Sequence, residues 1–190
     1  METIKILITG VGGQGTLLAS RVLGGLADAL NCDVKVSEVH GMAQRGGSVV
    51  TYVTLGDKVA SPLIEQGEAD FLLAFEQLEA VRYMNMVRPG GTVVVNTQTI
   101  APMPVITGAA EYPAGLMDTL TEAGLKVVAV DALALALKAG NARAVNTALM
   151  GALARQMNMP EDMMLETLSR IVPAKTIEVN RAAFRLGYEG

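Results

Sequence analysis

The segment of residues 5–15 constrains the fold more than any other part of the chain. It reads Lys-Ile-Leu-Ile-Thr-Gly-Val-Gly-Gly-Gln-Gly, an apolar strand followed by a glycine-rich turn, and a helical pattern begins directly after it. A turn of this kind directs backbone N–H groups and the positive end of a helix dipole toward one point. The segment therefore predicts a strand and a helix of an α/β domain, joined by a turn that suits an anion.

The remaining pattern predicts a single-domain, three-layer, Rossmann-like open sheet over residues 1–190, mostly parallel and with extra C-terminal helices. Leu18, Val22, Gly25 and Ala29 mark one helix stripe, so the first two strands are expected to form a parallel βαβ unit. The third strand follows after too short a gap for a crossover helix, and we expect it to run antiparallel or to extend an edge. The predicted strands are 4–9, 34–39, 48–55, 70–75, 92–96 and 126–130.

Two predicted helices carry residues that need a packing explanation. Gly24 and Gly25 lie inside the first helix, where each costs about 1 kcal/mol relative to alanine, so a neighbouring helix or a partner protein is expected to approach closely. Asn180 shares an otherwise apolar face with Phe184 in the last helix, and a buried amide there needs hydrogen-bond partners. Residues 102–113 contain three prolines and predict a loop of extended character.

Composition and charge exclude several classes of protein. The net charge is −4 and the basic residues are scattered, which argues against a nucleic-acid binder. The apolar runs are far shorter than the ~20 residues that a membrane span needs, and no basic-then-apolar leader is found, so we expect a cytoplasmic protein without a membrane partner. Cys32 is the only cysteine, which leaves too few thiolates for an iron–sulfur cluster or a structural zinc site.

The first glycine turn also matches a dinucleotide-binding pattern. Gly10, Gly12 and Gly15 fit G-x-G-x-x-G, and Glu38 stands where an acid would hold the ribose hydroxyls. An NAD(P)-dependent oxidoreductase of Rossmann type is therefore an alternative function. Close packing of strand, turn and helix, without any ligand, explains the glycines equally well.

A second polar constellation, the loop of residues 40–47, follows the second predicted strand and is expected to lie beside the glycine turn, at the sheet edge where open α/β sheets place their ligands. His40 is the only histidine, and without a nucleophile or further ligands it suggests a hydrogen-bonding role rather than a triad or a metal site. Arg45 is expected to grip a phosphate, a carboxylate or a partner's acidic residue, or else to form a surface ion pair. The predicted binding residues are Gly12, Gly13, Gln14, Gly15, Glu38, His40, Arg45, Gly46 and Gly47, and no catalytic residue or metal site is predicted.

Taken together, these motifs resemble the small, gamma-type subunit of 2-oxoacid:ferredoxin oxidoreductases. The similar segments are 10–15, 40–47, 70–76, 90–96, 146–151 and 175–187, so the resemblance covers nearly the whole chain. The loop His-Gly-Met-Ala-Gln-Arg-Gly-Gly is most similar to that of the indolepyruvate-oxidising members. The resemblance implies that residues 1–190 form the gamma-type catalytic domain of the pyruvate and ketoisovalerate enzymes.

The resemblance also implies a reaction and a subunit that carries the cofactors. The complex would decarboxylate an aryl 2-oxoacid such as indolepyruvate, couple the acyl group to coenzyme A and pass two electrons to ferredoxin. Thiamine diphosphate, magnesium and the 4Fe-4S clusters would lie on the large alpha subunit. This chain also lacks a Gly-Asp-Gly run with paired asparagines for thiamine diphosphate, because Gly56 and Asp57 are followed by Lys58.

The chain itself would then be a required subunit that is inactive in isolation. The glycine turn and the arginine loop would face the partner's active site or help to position coenzyme A. A purely structural subunit, whose loops bind only protein, remains a further alternative.

Overall fold

A mixed six-stranded β-sheet forms the centre of the part of the chain that the structure describes, residues 1–40 and 46–190 of a computed structural model. For His40 only the backbone is described. The strand order across the sheet is β2-β3-β1-β4-β5-β6. The strands are β1 (Ile4–Val11), β2 (Asp33–His40), β3 (Ser48–Gly56), β4 (Ala69–Ala74), β5 (Val87–Asn96) and β6 (Lys126–Val130).

The central strands are rich in apolar residues because helices cover both faces of the sheet. In β1, Ile6 and Ile8 pack into the core on one face, whereas Leu7 packs into the core on the other. Strands β1, β4, β5 and β6 are parallel neighbours. The prediction of a three-layer and mostly parallel sheet is therefore confirmed.

The helices divide unequally between the two faces. Helices α1, α5, α6, α7 and α8 bury their apolar sides on one face, and α2 and α4 cover the other. None of the helices within residues 1–40 and 46–190 is long and apolar enough to cross a bilayer. The helices are α1 (Thr16–Leu30), α2 (Gln77–Tyr83), α3 (Met103–Ile106), α4 (Leu116–Glu122), α5 (Ala132–Lys138), α6 (Val145–Gln156), α7 (Glu161–Ile171) and α8 (Ile177–Glu189).

Strand β3 corrects one prediction about the sheet. The sequence predicts that β1 and β2 form a parallel βαβ unit, but β3 lies between them and is antiparallel to both. Ser48 is paired with Val11, and Val49 is paired with His40. The expectation that β3 runs antiparallel is confirmed, whereas the direct pairing of β1 with β2 was wrong. The crossover through α1 leaves a gap of one strand, and the following hairpin fills it.

A second correction concerns the proline-containing region after β5. The sequence predicts an extended loop there, but residues 103–106 form the one-turn helix α3. Pro102 precedes this helix and Pro104 lies in its first turn. Proline is tolerated at this place because the N–H groups of the first turn have no partner within the helix.

Close helix packing explains Gly25 and Asn180, whereas the expected close approach at Gly24 was wrong, because a Cβ there would find no atom within 4 Å. A Cβ atom on Gly25 would stand 2.8 Å from Cγ2 of Thr167 in α7, so a neighbouring helix approaches α1 at this point. Asn180 of α8 accepts a hydrogen bond from the hydroxyl of Thr147 in α6 (2.6 Å) and donates one to the carbonyl of Thr176 (2.8 Å). The predicted need of this buried amide for partners is confirmed, and the pair ties α8 to α6.

Candidate functional site

A cleft opens where the carboxyl ends of β1 and β4 meet. The two strands are parallel neighbours, but the helix that follows β1 lies on one face of the sheet and the helix that follows β4 lies on the other. This divergence makes a topological switch point, where open α/β sheets bind their ligands. Gly13, Gln14 and Gly15 of the glycine turn form one wall of the cleft.

The glycines of the turn serve different purposes. A Cβ on Gly10 would lie 3.0 Å from Cβ of Phe75, so Gly10 allows β1 to pack closely. Gly13 has a φ of +100° and Gly15 a φ of +85°, values that favour glycine. A Cβ on Gly15 would meet the side-chain amide of Asn146 at 2.8 Å, whereas one on Gly13 would find no atom within 4 Å. Close packing thus accounts for part of the motif, and Gly13 faces open space.

Gln14 holds the turn in place through its side-chain amide. Its Oε1 accepts a hydrogen bond from the N–H of Val11 (2.7 Å), and its Nε2 donates to the carbonyl oxygen of Phe75 (2.9 Å). One partner is a donor and the other an acceptor, so the amide can be oriented in only one way. The same carbonyl of Phe75 also accepts from the amide of Asn96 at the end of β5 (3.2 Å). These bonds join the carboxyl ends of β1, β4 and β5.

Replacing Gln14 with glutamate tests this role. We expect Gln14→Glu to lower the free energy of unfolding by about 1–3 kcal/mol, because a carboxylate cannot donate to the carbonyl of Phe75. Urea unfolding measures the change, and the same replacement at the exposed Gln66 is the control. Equal stability of the two variants would show that the bond to Phe75 contributes nothing.

Gly46 and Gly47, the described end of the second predicted loop, lie at the same sheet edge as the glycine turn. The N–H of Gly12 donates a hydrogen bond to the carbonyl oxygen of Gly47 at 2.8 Å. Gly46 has a φ of +77° and is exposed beside this contact. Residues 41–45, including Arg45, and the side chain of His40 lie outside the described residues. The prediction that the two loops are neighbours is therefore confirmed for Gly12 and Gly47, and binding roles for Arg45 and His40 stay predictions.

The position of Glu38 bears on the dinucleotide alternative. A dehydrogenase of this type needs an acid at the end of the strand adjacent to β1. Glu38 lies on β2, which is two strand spacings or about 10 Å from β1. The inserted strand β3 therefore removes the geometric argument for a ribose contact, although a different binding role for Glu38 stays a prediction.

An open cleft of about 470 Å³ extends from the glycine turn to the start of α6. Gly13, Gln14 and Gly15 line one side of it. Three further lining residues, Gln98, Arg143 and Asn146, were missed by the sequence analysis. Among the described lining residues, Arg143 is the only charged one, so the cleft combines an arginine with the N-terminus of α1. This combination suits an anionic group.

The residues of this chain do not fit the metal cofactors implied by the sequence resemblance. A 4Fe-4S cluster takes four cysteine thiolates, and the chain has one cysteine. That residue, Cys32, is a half-buried free thiol just before β2. Within residues 1–40 and 46–190, no group of three His, Cys, Asp or Glu side chains could hold a metal ion. We therefore assign no step of any reaction to a metal on this chain.

The comparisons of this chain with a family profile and with individual relatives agree with one another. A family profile described as pyruvate ferredoxin/flavodoxin oxidoreductase matches residues 5–190. The indolepyruvate oxidoreductase subunit IorB of Thermococcus kodakarensis is 44% identical over 192 residues, covering 98% of this chain and 95% of the relative. The subunit of the same name from Pyrococcus horikoshii is 41% identical over 194 residues, with coverage of 98% and 95%.

The fold is shared with a solved structure as well. The gamma subunit of a keto/oxoacid ferredoxin oxidoreductase from Geobacter sulfurreducens superposes with a TM-score of 0.72. Its sequence is 22% identical, and the match covers 98% of this chain and 96% of that subunit. At this identity the likeness concerns the fold alone.

Proposed function

This chain belongs to the pyruvate ferredoxin/flavodoxin oxidoreductase family, and from that membership we propose that it is the small subunit of an indolepyruvate:ferredoxin oxidoreductase. The observation that carries the proposal is the 44% identity to an indolepyruvate oxidoreductase subunit over nearly the full length of both chains. In this reaction the bond between the carbonyl carbon and the carboxylate of a 2-oxoacid breaks and carbon dioxide leaves. A thioester forms with coenzyme A, and two electrons pass to ferredoxin.

The electron chemistry is assigned to a larger partner subunit. Thiamine diphosphate, magnesium and 4Fe-4S clusters would supply the decarboxylation and the electron path there, since this chain has neither the cysteines nor a metal-binding cluster among its described residues. The contribution of this chain is to bind and to orient. Its glycine turn, the adjoining Gly47 and the cleft with Arg143 lie together at one sheet edge.

We assign that edge to the partner's active site. An anionic group in the cleft would be held by Arg143 and by the first turn of α1, whether it is a phosphate of coenzyme A or a carboxylate of the partner protein. Two measurements on the complex separate these possibilities. Loss of coenzyme A contacts raises KM for coenzyme A, whereas loss of protein contacts raises the Kd between the subunits.

Reconstitution of the complex from its separate subunits tests the proposal. We expect neither this chain nor the large subunit alone to reduce ferredoxin with indolepyruvate and coenzyme A, and the mixture to do so. Rates with indolepyruvate, phenylpyruvate and pyruvate then define the substrate, and we expect the two aryl oxoacids to react faster than pyruvate. Full turnover by the large subunit alone would reduce this chain to a structural accessory. Micromolar binding of NADH or NADPH by the isolated chain would favour a dehydrogenase instead.

A further inference from the structure

One carboxylate at the sheet edge holds three donors from two separate parts of the chain. Glu76 directly precedes α2 and is only 1% exposed. Its Oε2 accepts a hydrogen bond from the N–H of Glu79 at 3.0 Å and so caps the helix. Its Oε1 accepts from the N–H of Ile100 at 3.2 Å and from the hydroxyl of Tyr112. Glu76 therefore fastens residues 97–115, which connect β5 to α4, at two points.

The chemistry of these contacts favours a firm attachment. A buried carboxylate is costly unless donors satisfy its oxygens, and here three neutral donors do so. Burial, and then the hydrogen bond to Glu76, raise the pKa of Tyr112 above its usual value. The hydroxyl of Tyr112 is therefore protonated at neutral pH and donates to the carboxylate. Hydrogen bonds to charged groups are stronger than those between neutral groups.

The first turn of α2 holds the opposite rim in the same manner. Glu79 is 5% exposed, forms an ion pair with Arg82 (3.2 Å), and accepts a hydrogen bond from the hydroxyl of Ser48. Ser48 begins β3 and directly follows Gly46 and Gly47. A crevice of about 90 Å³, distinct from the cleft beside Arg143, separates this rim from the segment 97–115. Helix α2 thus fixes both strips of chain that flank the crevice.

The segment 97–115 presents apolar side chains to solvent beside this crevice. Met103 and Ile106 of α3 are 63% and 65% exposed. Residues 100–102 line the crevice, and its opposite wall includes Gly46, next to the hydrogen bond between Gly12 and Gly47. The segment is therefore continuous with the sheet edge that we assign to the partner.

We infer that Glu76 is a positioning residue that fixes the segment 97–115 in the arrangement that docks against the large subunit. The inference rests on the proposed function, because it needs the carboxyl edge of the sheet to face that subunit. Glu76 acts through Ile100 and Tyr112 and does not touch the reacting atoms. Without this carboxylate the segment would become ordered only when the subunits assemble. The loss of conformational entropy would then oppose binding and raise the Kd.

Two variants and a matched control test the inference in the reconstituted complex. Glu76→Gln leaves one oxygen to serve donors that two oxygens served, and Tyr112→Phe removes a single hydrogen bond. We expect Glu76→Gln to raise the Kd for the large subunit about tenfold, with a smaller increase for Tyr112→Phe. The kcat at saturating large subunit should stay unchanged. Glu122→Gln, the same replacement at an exposed residue that ends α4 at the amino end of the sheet, should leave the Kd unchanged.

Hydrogen exchange of the Ile100 amide in the isolated chain provides the second readout. Faster exchange in Glu76→Gln, together with the raised Kd, supports the inference. An unchanged Kd in that variant overturns it, whatever the exchange rate does. If Glu76→Gln fails to fold, the same two measurements on Tyr112→Phe decide. A wild-type chain that does not bind the large subunit refutes the proposed function itself, whereas wild-type binding with unaltered variants refutes only the role of Glu76.

Discussion

Replacing Gly187 with alanine is expected to produce the largest loss of stability in the described part of the chain. Helices α6 and α8 cross with Gly187 against the backbone of Ala148 and with Gly151 against the backbone of Phe184 and Tyr188. A Cβ on Gly187 would lie 2.8 Å from the carbonyl carbon of Ala148 and closer still to its oxygen. Since the obstacle is backbone, no rotamer change relieves it.

We therefore expect Gly187→Ala to lower the free energy of unfolding by about 3 kcal/mol, at the upper end of the usual cost of overpacking. For a domain of this size the melting temperature should fall by about 6–12 °C. Thermal unfolding followed by circular dichroism measures the shift. The hydrogen bond between Asn180 and Thr147 lies at the same helix pair, so the loss should be accompanied by faster amide exchange in α8.

Gly24→Ala is the control for this prediction. Gly24 also lies within a helix, but a Cβ there would find no atom within 4 Å. Alanine should keep or raise the stability, by up to about 1 kcal/mol, because it favours the helix. If both variants were destabilised equally, the close crossing of α6 and α8 would not be the cause.

The second large effect is expected on turnover of the reconstituted complex. Gly13 has a φ of +100° and faces the open cleft, and a β-branched residue is a genuine outlier in this conformation. Gly13→Val should displace the glycine turn without filling any space in the core. We expect turnover to fall about 100-fold, because a small misplacement near a reacting centre can lower the rate by this factor.

Gly124→Val separates this effect from backbone strain alone. Gly124 has a φ of +75° and open surroundings, but it precedes β6 at the amino end of the sheet, opposite the cleft. Its turnover should match that of the wild type. Arg45→Ala, chosen from the sequence since Arg45 lies outside the described residues, should also lower turnover. Unchanged kinetics for both Gly13→Val and Arg45→Ala would contradict the assignment of this edge to the active site.

The strands could be predicted from the sequence because each is a local run of apolar residues. The predicted strand 126–130 agrees with β6, and 48–55 falls one residue short of the end of β3. The place of β3 between β1 and β2 could not be predicted in this way, because its apolar pattern fits several neighbours equally well. Sheet order depends on pairings between distant segments, which local periodicity does not record.

Only the part of the candidate site that has a local sequence pattern could be predicted. The glycine turn has a spacing that marks it, and its position at the carboxyl edge follows from the fold class. Arg143 and Asn146 have no such spacing, and only the packing of α6 against the sheet brings them to Gly15. A binding role for Gln14 stays a prediction, and the structure adds that its amide connects Val11 to Phe75. An amide bonded to backbone on both sides looks no different in sequence from one that is available to a ligand.

The insertion of β3 also affects the order in which the chain can fold during synthesis. Strand β2 leaves the ribosome before β3, yet within the described residues its only sheet neighbour is β3. A nascent chain that ends at His40 therefore has no place for β2 beside β1. Strand β2 can join the sheet only through β3, so this half of the sheet cannot close until the chain has emerged as far as Gly56.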